Sequence, residues 1–180
     1  MLVTQAKLGK YKMRLYELDH TADLVKRAKH LAAQLHAKQK YGTHPYIVHL
    51  SAVARKVEQA GGTPEQIAAA WLHDSLEDTP ITREELQAQF GEEVANMVWA
   101  VTGEGHNRKT KLDSVIGKIA NTPGADIVKS ADRLCNTQAC IDDKLIDKAR
   151  MYKGEHDKLA PVLGKNPMSK ELYRIFAQMD

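Results

Sequence analysis

The sequence predicts an all-α protein, and three observations support this prediction. Apolar residues recur every three or four positions along most of the 180-residue chain. Helix-start signals precede several of these segments, and Gly or Pro follows them. No segment shows the alternation of a convincing β-strand. The 43% hydrophobic and 27% charged content suits one globular domain, which we expect over residues 1–180, with its core at about 20–160 and a C-terminal helix at about 168–180.

The first two predicted helices flank a turn. Thr21 can cap a helix whose apolar face carries four residues at helical spacing: Leu24, Ala28, Leu31 and Leu35. Glycine and proline within residues 42–45 predict the turn. The second helix should cover about residues 47–60, because the Gly61-Gly62 pair stops it.

Two later segments begin with capping signals. Thr63-Pro64-Glu65-Gln66 combines an N-cap, a proline at the first helical position and a glutamine at the third. We expect one helix from this point to about Asp78, ending near Pro80. Thr82-Arg83-Glu84-Glu85 repeats the capping box and opens a helical segment that Gly91 can divide in two.

The remaining chain predicts a polar loop and further helices. The loop covers residues 103–110, and Pro123-Gly124 forms a turn. Helices are expected at about 112–120, 125–140 and 141–156, and after Ser169. His156 lies among charged residues, so we expect it to face solvent.

Charge and hydropathy argue against two classes of protein. The 26 basic and 23 acidic residues give a formal charge of +3, without the concentrated basic stripe of a nucleic-acid-binding protein. We interpret the loose basic run near the N-terminus as solvated surface: Lys7, Lys10, Lys12 and Arg14. No run of eighteen apolar residues and no signal-peptide pattern occurs, so we expect no membrane association.

The two cysteines predict a reducing environment. Cys135 and Cys140 lie five positions apart in one predicted helix, which is poor geometry for a disulfide. We interpret both as reduced core residues of a cytoplasmic protein.

Histidine and acidic residues cluster at the end of the third predicted helix. On a continuous helix His73 and Glu77 lie one turn apart, with Asp74 and Asp78 as a parallel pair beside them. Buried carboxylates at this density repel one another and are costly without a cation. A divalent metal resolves the conflict, and His49 on the preceding helix can supply a second imidazole.

Asp132 lies on a polar stripe of a later helix. Lys129, Arg133 and Asn136 share its face, which suits a metal ligand flanked by phosphate-binding donors. By itself this stripe could also be a solvated face with local ion pairs.

The predicted metal ligands are two imidazoles and two carboxylates: His49, His73, Asp74 and Asp132. This mixed nitrogen and oxygen set suits one Mn²⁺ ion, or another fairly hard divalent ion, better than a thiolate site would. We predict that Glu77 and Asp78 are catalytic, because a paired acid and base can orient a water and relay its proton.

Four motifs occur in this order: Pro45-Tyr46-Ile47-Val48-His49, His73-Asp74-Ser75-Leu76-Glu77-Asp78-Thr79, Phe90-Gly91 with Val101-Thr102, and Val128-Lys129-Ser130-Ala131-Asp132-Arg133-Leu134-Cys135-Asn136. Together they resemble the hydrolase domain of Rel/SpoT-type proteins and the small alarmone hydrolases, over about residues 20–160. The resemblance implies an all-α HD-domain bundle. It also implies Mn²⁺-dependent removal of the 3′-pyrophosphate from guanosine tetra- and pentaphosphate.

The resemblance also implies roles for individual residues. The four predicted ligands match the family's metal ligands, Glu77 and Asp78 its acidic pair, and Asn136 a substrate-contacting asparagine. Four basic residues could neutralise the pyrophosphate: Arg108, Lys109, Lys129 and Arg133. The family usually carries an Arg-Lys pair near the guanine base, where this chain has Lys40 and Tyr41. Lys40 could keep a cation there, and Tyr41 could offer a stacking ring.

Other functions stay open at this point. The departure at Tyr41 also fits an HD enzyme acting on a nucleoside monophosphate or another 3′-phosphorylated nucleotide. A cyclic-dinucleotide phosphodiesterase is disfavoured, because those enzymes carry Lys where this chain has Glu77. A non-catalytic binding regulator would not need the acidic pair. The expected partner is a small nucleotide substrate, and a homodimer is allowed.

Overall fold

The computed structural model describes residues 22–179. Residues 22–35 are helical and form α1, and the four residues of its predicted apolar face are buried or half-buried. The predicted cap Thr21 and the basic N-terminal run of Lys7, Lys10, Lys12 and Arg14 lie outside the described residues.

The all-α prediction is confirmed. The helices after α1 have these bounds: α2 Ile47–Gln59, α3 Pro64–Leu72, α4 Ser75–Asp78, α5 Arg83–Phe90, α6 Glu92–Val101, α7 Arg108–Ile119, α8 Ala125–Asp142, α9 Ile146–Leu163 and α10 Pro167–Ala177. None of the helices between residues 22 and 179 has the length and apolar content needed to cross a lipid bilayer.

Helix α8 occupies the centre of the fold. It contacts α2, α3, α6, α9 and α10. Its apolar residues Val128, Ala131 and Leu134 are at most 1% exposed. Because a packed core resists displacement, polar side chains on α8 are presented from a fixed backbone.

A short antiparallel hairpin interrupts the helices and was not predicted. Strand β1 is Lys40–Tyr41 and β2 is His44–Pro45, with Tyr41 opposite His44. Gly42 between the strands has a φ of +60°, which glycine adopts without strain. Strands of two residues are too short to show alternation, so the pattern of the sequence could not reveal them.

The predicted continuous helix from residue 63 to Asp78 is wrong. Helix α3 ends at Leu72, and α4 begins at Ser75 after a turn formed by His73 and Asp74. The Ser75 hydroxyl donates a hydrogen bond to the Leu72 carbonyl. This bond competes with the backbone hydrogen bond that a continuous helix would make there.

The predicted capping boxes of α3 and α5 are both present, at Thr63 with Gln66 and at Thr82 with Glu85. Each threonine hydroxyl accepts a backbone N–H, and each partner side chain accepts the backbone N–H of the threonine. Gly91 separates α5 from α6, as the sequence predicts.

Helix α7 begins earlier than predicted. The polar loop was expected to last until residue 110, but Asn107 caps a helix that starts at Arg108. The Asn107 side chain accepts the backbone N–H of Thr110, whose hydroxyl accepts the backbone N–H of Asn107. Threonine here replaces the Glu or Gln of the usual box, so the start signal was missed.

The boundary between α8 and α9 also differs from the prediction. Helix α8 continues to Asp142, and α9 covers Ile146–Leu163 rather than about 141–156. The predicted exposure of His156 is wrong, because its side chain is 3% exposed. Its ring packs against Tyr173 and Phe176 of α10, with centroid distances of 4.7 and 5.0 Å.

The interpretation of the cysteines as separate thiols is confirmed. Cys135 and Cys140 form no disulfide, and Cys140 is buried. Burial and the nearby Asp132 carboxylate raise the pKa of the Cys135 thiol to about 12. A thiol that keeps its proton is a poor metal ligand.

Two glycine substitutions test the backbone conformations of Gly91 and Gly117. Gly91 has φ +87° and ψ 168°, a region open essentially to glycine alone, whereas Gly117 lies inside α7. A methyl group would meet no atom within 4 Å at either position. Gly91→Ala should lower the free energy of unfolding by about 1–3 kcal/mol. Gly117→Ala should raise it by about 0.4–1 kcal/mol.

Urea unfolding followed by circular dichroism measures both effects. Because neither methyl group creates a clash, the two variants differ in backbone conformation alone. Equal changes in the free energy of unfolding for the two variants would contradict the assigned conformations.

Candidate metal centre

His49 lies in the first turn of α2 and is 3% exposed. The ring of Tyr41, from β1, stacks on the His49 imidazole with a centroid distance of 4.6 Å and an interplanar angle of 12°. The ring of Tyr46, which precedes α2, approaches edge-on at 5.7 Å. The hairpin and the start of α2 therefore fix this imidazole together.

His73 and Asp74 form the turn between α3 and α4. The His73 Nδ1 atom donates to the Ala70 carbonyl at 2.8 Å, so the Nε2 atom points away from its own helix. The Tyr46 hydroxyl donates to Asp74 Oδ2 at 2.6 Å. The turn thus presents an imidazole and a carboxylate in one direction.

Asp132 lies on α8 and is 7% exposed. Lys129 Nζ donates to its Oδ2 atom at 2.8 Å, and the Asn136 amide donates to its Oδ1 atom. Asp132 and Arg133 are both buried, so the alternative interpretation of this stripe as a solvated face is wrong.

These side chains converge on one point. Asp74 Oδ2 lies 3.1 Å from His73 Nε2 and 3.7 Å from His49 Nε2. Asp132 Oδ1 lies 3.4 Å from His49 Nε2 and 3.6 Å from His73 Nε2. Ligand atoms about 2.1 Å from a common ion lie roughly 3.0–3.4 Å from one another. The observed spacings are close to this range.

The electrostatics of the site favour a positive charge at its centre. Burial would lower the pKa of His73, but the Asp74 and Asp132 carboxylates raise it to about 10. Burial would raise the pKa of Asp74, but the neighbouring His73 lowers it to about 2. A bound cation would supply this positive charge.

The residues present fit a divalent metal ion. His73 Nε2 is buried and makes no hydrogen bond, despite the 3.1 Å approach of Asp74. Such an atom is costly unless it has a partner, and coordination would supply one. His49, His73 and Asp74 each offer a ligand atom within 4.8 Å of the others. Two imidazoles and two carboxylates form a donor set that first-row divalent metals accept.

The acidic pair lies on α4, and its two carboxylates have different partners. Glu77 accepts hydrogen bonds from Lys111 Nζ at 2.6 Å and from the Gly103 backbone at 3.3 Å. Asp78 instead accepts one from Gln39 Nε2 at 2.8 Å. The backbone N–H of Asp78 donates to the Asp74 carbonyl at 3.0 Å, so Asp74 and Asp78 stay one helical turn apart despite the break after Leu72.

Two of the predicted basic residues share one acidic partner. Arg108 contacts both carboxylate oxygens of Glu155, at 2.5 and 3.0 Å, and Arg133 contacts Oε2 at 2.8 Å. Both guanidinium groups also lie over the Tyr152 ring, at 5.3 and 4.6 Å from its centroid. Burial would raise the pKa of Glu155, but the two arginines lower it. This cluster joins α7, α8 and α9.

A cavity of about 140 Å³ opens beside Glu77. Four cationic and two anionic side chains are among the residues that line it: Arg108, Lys111, Lys129, Arg133, Glu77 and Glu155. Three predicted substrate contacts therefore lie together there. Lys109 and Lys40 are exposed and do not line this cavity.

The other two predicted substrate contacts bond to each other. The Tyr41 hydroxyl donates to Asn136 Oδ1 at 2.9 Å. Burial raises the pKa of the Tyr41 phenol, so its hydroxyl keeps the proton that it donates. Both residues adjoin the candidate metal ligands.

Five contributors to the site were not predicted from the sequence: Gln39, Tyr46, Lys111, Tyr152 and Glu155. Lys111 lies three residues after Arg108, and residues three apart share one face of a helix. A prediction that began α7 at Arg108 would therefore have placed Lys111 beside it. Tyr46 was part of a recognised motif, but only the tertiary contact shows its bond to Asp74. Nothing in the local pattern around Glu155 marks it.

Comparison with known proteins gives matches over most of the chain. A model of the HD domain matches residues 28–116. The guanosine-3′,5′-bis(diphosphate) 3′-pyrophosphohydrolase of Aquifex aeolicus is 38% identical over 123 residues, or 65% of this chain and 18% of the relative. The chain spans about a fifth or less of the length of this relative and of the next four.

A relative of similar size and a solved structure extend the comparison. MESH1 of Xenopus tropicalis, a guanosine-3′,5′-bis(diphosphate) 3′-pyrophosphohydrolase, is 35% identical over 124 residues, covering 64% of this chain and 68% of the relative. The structure of a metazoan ortholog of SpoT that hydrolyses ppGpp has the same fold, with a TM-score of 0.74, 24% identity and coverage of 86% and 94% of the two chains. The chain therefore belongs to the HD-domain family that includes MESH1.

Proposed function

We propose that this chain is a metal-dependent hydrolase that removes the 3′-pyrophosphate from guanosine tetra- and pentaphosphate, giving GDP or GTP and pyrophosphate. The observation that carries the proposal is the convergence of two buried imidazoles and two carboxylates. Their carboxylate oxygens lie 3.1–3.7 Å from the imidazole Nε2 atoms, near a cavity rich in cations. We propose a guanosine substrate because the relatives in Aquifex aeolicus and Xenopus tropicalis are guanosine-3′,5′-bis(diphosphate) 3′-pyrophosphohydrolases.

We assign the binding of one divalent ion, Mn²⁺, to four side chains: His49, His73, Asp74 and Asp132. Manganese accepts imidazole nitrogen and carboxylate oxygen together, and the two cysteines are not among the converging side chains. When bound, such an ion lowers the pKa of a water ligand and polarises a phosphoryl oxygen.

We assign proton transfer to Glu77 and Asp78. Glu77 lines the cavity, so a proton released by an attacking water has an acceptor there. Asp78 is oriented by Gln39 through one carboxylate oxygen, which leaves the other oxygen for a water or for the leaving group. Lys111 holds Glu77 in position through the 2.6 Å contact.

The charge of the cavity suits a polyphosphate. Four cations against two carboxylates leave a net charge of +2 among the ionisable residues that line it. The planar guanidinium groups of Arg108 and Arg133 match phosphate oxygens in geometry. Glu155 and Tyr152 hold both guanidinium groups in place before any substrate arrives, which lowers the entropy cost of binding.

A second candidate is hydrolysis of another nucleotide by the same centre. It is favoured by the hairpin, because the Tyr41 ring stacks on His49 and that face is therefore not open to a guanine base. The cytoplasmic location, the homodimer and the single domain over residues 1–180 stay predictions from the sequence.

Hydrolysis with product analysis tests the proposed function. Purified protein with Mn²⁺ should convert guanosine tetraphosphate to GDP and pyrophosphate, and excess chelator should abolish turnover, because the candidate centre needs its ion. Phosphorus NMR distinguishes pyrophosphate from orthophosphate. Turnover of nucleoside monophosphates or other 3′-phosphorylated nucleotides, without alarmone turnover, would instead support the second candidate. Alarmone binding without hydrolysis would support a regulator.

Asp78→Asn separates proton transfer from metal binding. It should lower kcat by about 100-fold or more, because general acid–base groups contribute 10²–10⁴-fold. Its affinity for Mn²⁺, measured by electron paramagnetic resonance of the free ion, should stay close to that of the unchanged protein. Asp74→Asn provides the contrast and should lose Mn²⁺ affinity. Full activity in Asp78→Asn would refute the assigned role.

Arg108 and Lys109 form a matched pair for testing the cavity. Arg108 lines it and Lys109 does not, although both were predicted to bind substrate. Arg108→Gln should raise KM by about tenfold or more, since a hydrogen bond to a charged group contributes about 1.5–3 kcal/mol. Lys109→Gln removes the same charge and should change KM much less. Steady-state kinetics showing the reverse order would exclude the cavity as the phosphate site.

A further inference from the structure

We infer that Tyr41 is a positioning residue of the metal centre, which orients His49 through its ring and Asp132 through its hydroxyl and Asn136. The inference rests on the metal site of the proposed function and adds a residue to it. It assigns Tyr41 a task that is independent of substrate. Two separate sets of contacts, one apolar and one polar, support it.

The first set holds the imidazole of His49. The Tyr41 ring lies nearly parallel to it, at 12°, with centroids 4.6 Å apart. The rings of Tyr46 and His73 approach other sides of the His49 ring edge-on, with centroid distances of 5.7 and 5.2 Å. Rotation of the His49 ring about χ2 would collide with the stacked Tyr41 ring, so the stack fixes the direction of the Nε2 lone pair.

The second set holds the carboxylate of Asp132. The Tyr41 hydroxyl donates to Asn136 Oδ1 at 2.9 Å, and Asn136 Nδ2 donates to Asp132 Oδ1. A carboxylate accepts and does not donate, so the amide nitrogen of Asn136 must face Asp132. The amide oxygen then faces Tyr41, whose hydroxyl donates. Tyr41 therefore holds the Asn136 amide in the orientation that serves Asp132.

The two sets meet at one pair of atoms. His49 Nε2 and Asp132 Oδ1 are 3.4 Å apart, although they lie on different helices, α2 and α8. Tyr41 contacts His49 directly and reaches Asp132 through Asn136. The hairpin fixes Tyr41 in turn, because its backbone pairs with that of His44. Tyr41 thus connects one donor of α2 with one donor of α8.

A substrate-stacking role for Tyr41, which the sequence suggested, predicts a different result. Loss of a stacking platform raises KM and leaves the metal affinity of the free protein unchanged. Loss of a positioning residue weakens metal binding without any nucleotide present. Affinity for Mn²⁺ alone therefore separates the two roles.

The experiment measures Mn²⁺ affinity of the whole chain by electron paramagnetic resonance, without nucleotide, for Tyr41→Phe and Tyr41→Leu. Residues that support metal ligands typically contribute 10–100-fold to affinity. Tyr41→Phe keeps the ring and should weaken binding about tenfold. Tyr41→Leu loses both sets of contacts and should weaken it further. Tyr173→Phe, which removes a hydroxyl from a side chain 55% exposed on α10, serves as the unaffected control.

A double substitution tests the relay through Asn136. If the hydroxyl acts through that amide, Tyr41→Phe should cause no additional loss of Mn²⁺ affinity in an Asn136→Ala background. Unchanged Mn²⁺ affinity in Tyr41→Phe would overturn the inference, even if Tyr41→Leu fails to fold. Failure of the unchanged protein to hydrolyse alarmone while it binds Mn²⁺ would overturn the proposed substrate alone.

Discussion

The mutual repulsion of two carboxylates is the constraint on which the rest of this structure depends. Asp74 lies in the turn between α3 and α4 and Asp132 lies on α8, yet each has an oxygen within 3.7 Å of the same two imidazole nitrogens. Negative charges held together away from bulk water are unfavourable unless a positive charge lies between them. The same two carboxylates raise the pKa of His73, which agrees with a site that favours positive charge. A divalent ion bound between the carboxylates would supply that positive charge.

The surrounding structure is organised to maintain this unfavourable arrangement. Lys129, Asn136 and Tyr46 each bond to one of the two carboxylates, and the Ala70 carbonyl turns the His73 ring. Helix α8 contacts α2 and α3, the helices that carry or adjoin the other ligands. Packing energy of the apolar core therefore holds charged groups that would otherwise move apart.

The candidate metal ligands and the cation-lined cavity are adjacent but distinct. The candidate metal ligands are mostly buried, whereas the cavity beside Glu77 is lined by cations that already have acidic partners. Arg108 and Arg133 share Glu155, and Lys111 contacts Glu77. An anionic substrate entering this cavity would compete with those acids for cations that are already oriented. The arrangement favours small polyanions over neutral ligands.

The sequence by itself determined the all-α class, the capped starts of α3 and α5, and the four side chains that converge at the centre. These rest on local spacing and on recognisable motifs, which need no knowledge of distant contacts. Four features were not predicted from the sequence: the break after Leu72, the hairpin at Tyr41, the burial of His156 and the pairing of two arginines with Glu155. The hairpin and the break involve residues close together in the chain, but strands of two residues show no alternation, and the Ser75 hydroxyl could equally have faced solvent on a continuous helix. The burial of His156 and the pairing with Glu155 depend on residues far apart in the chain. Such contacts form only when the helices pack, so local patterns could not predict them.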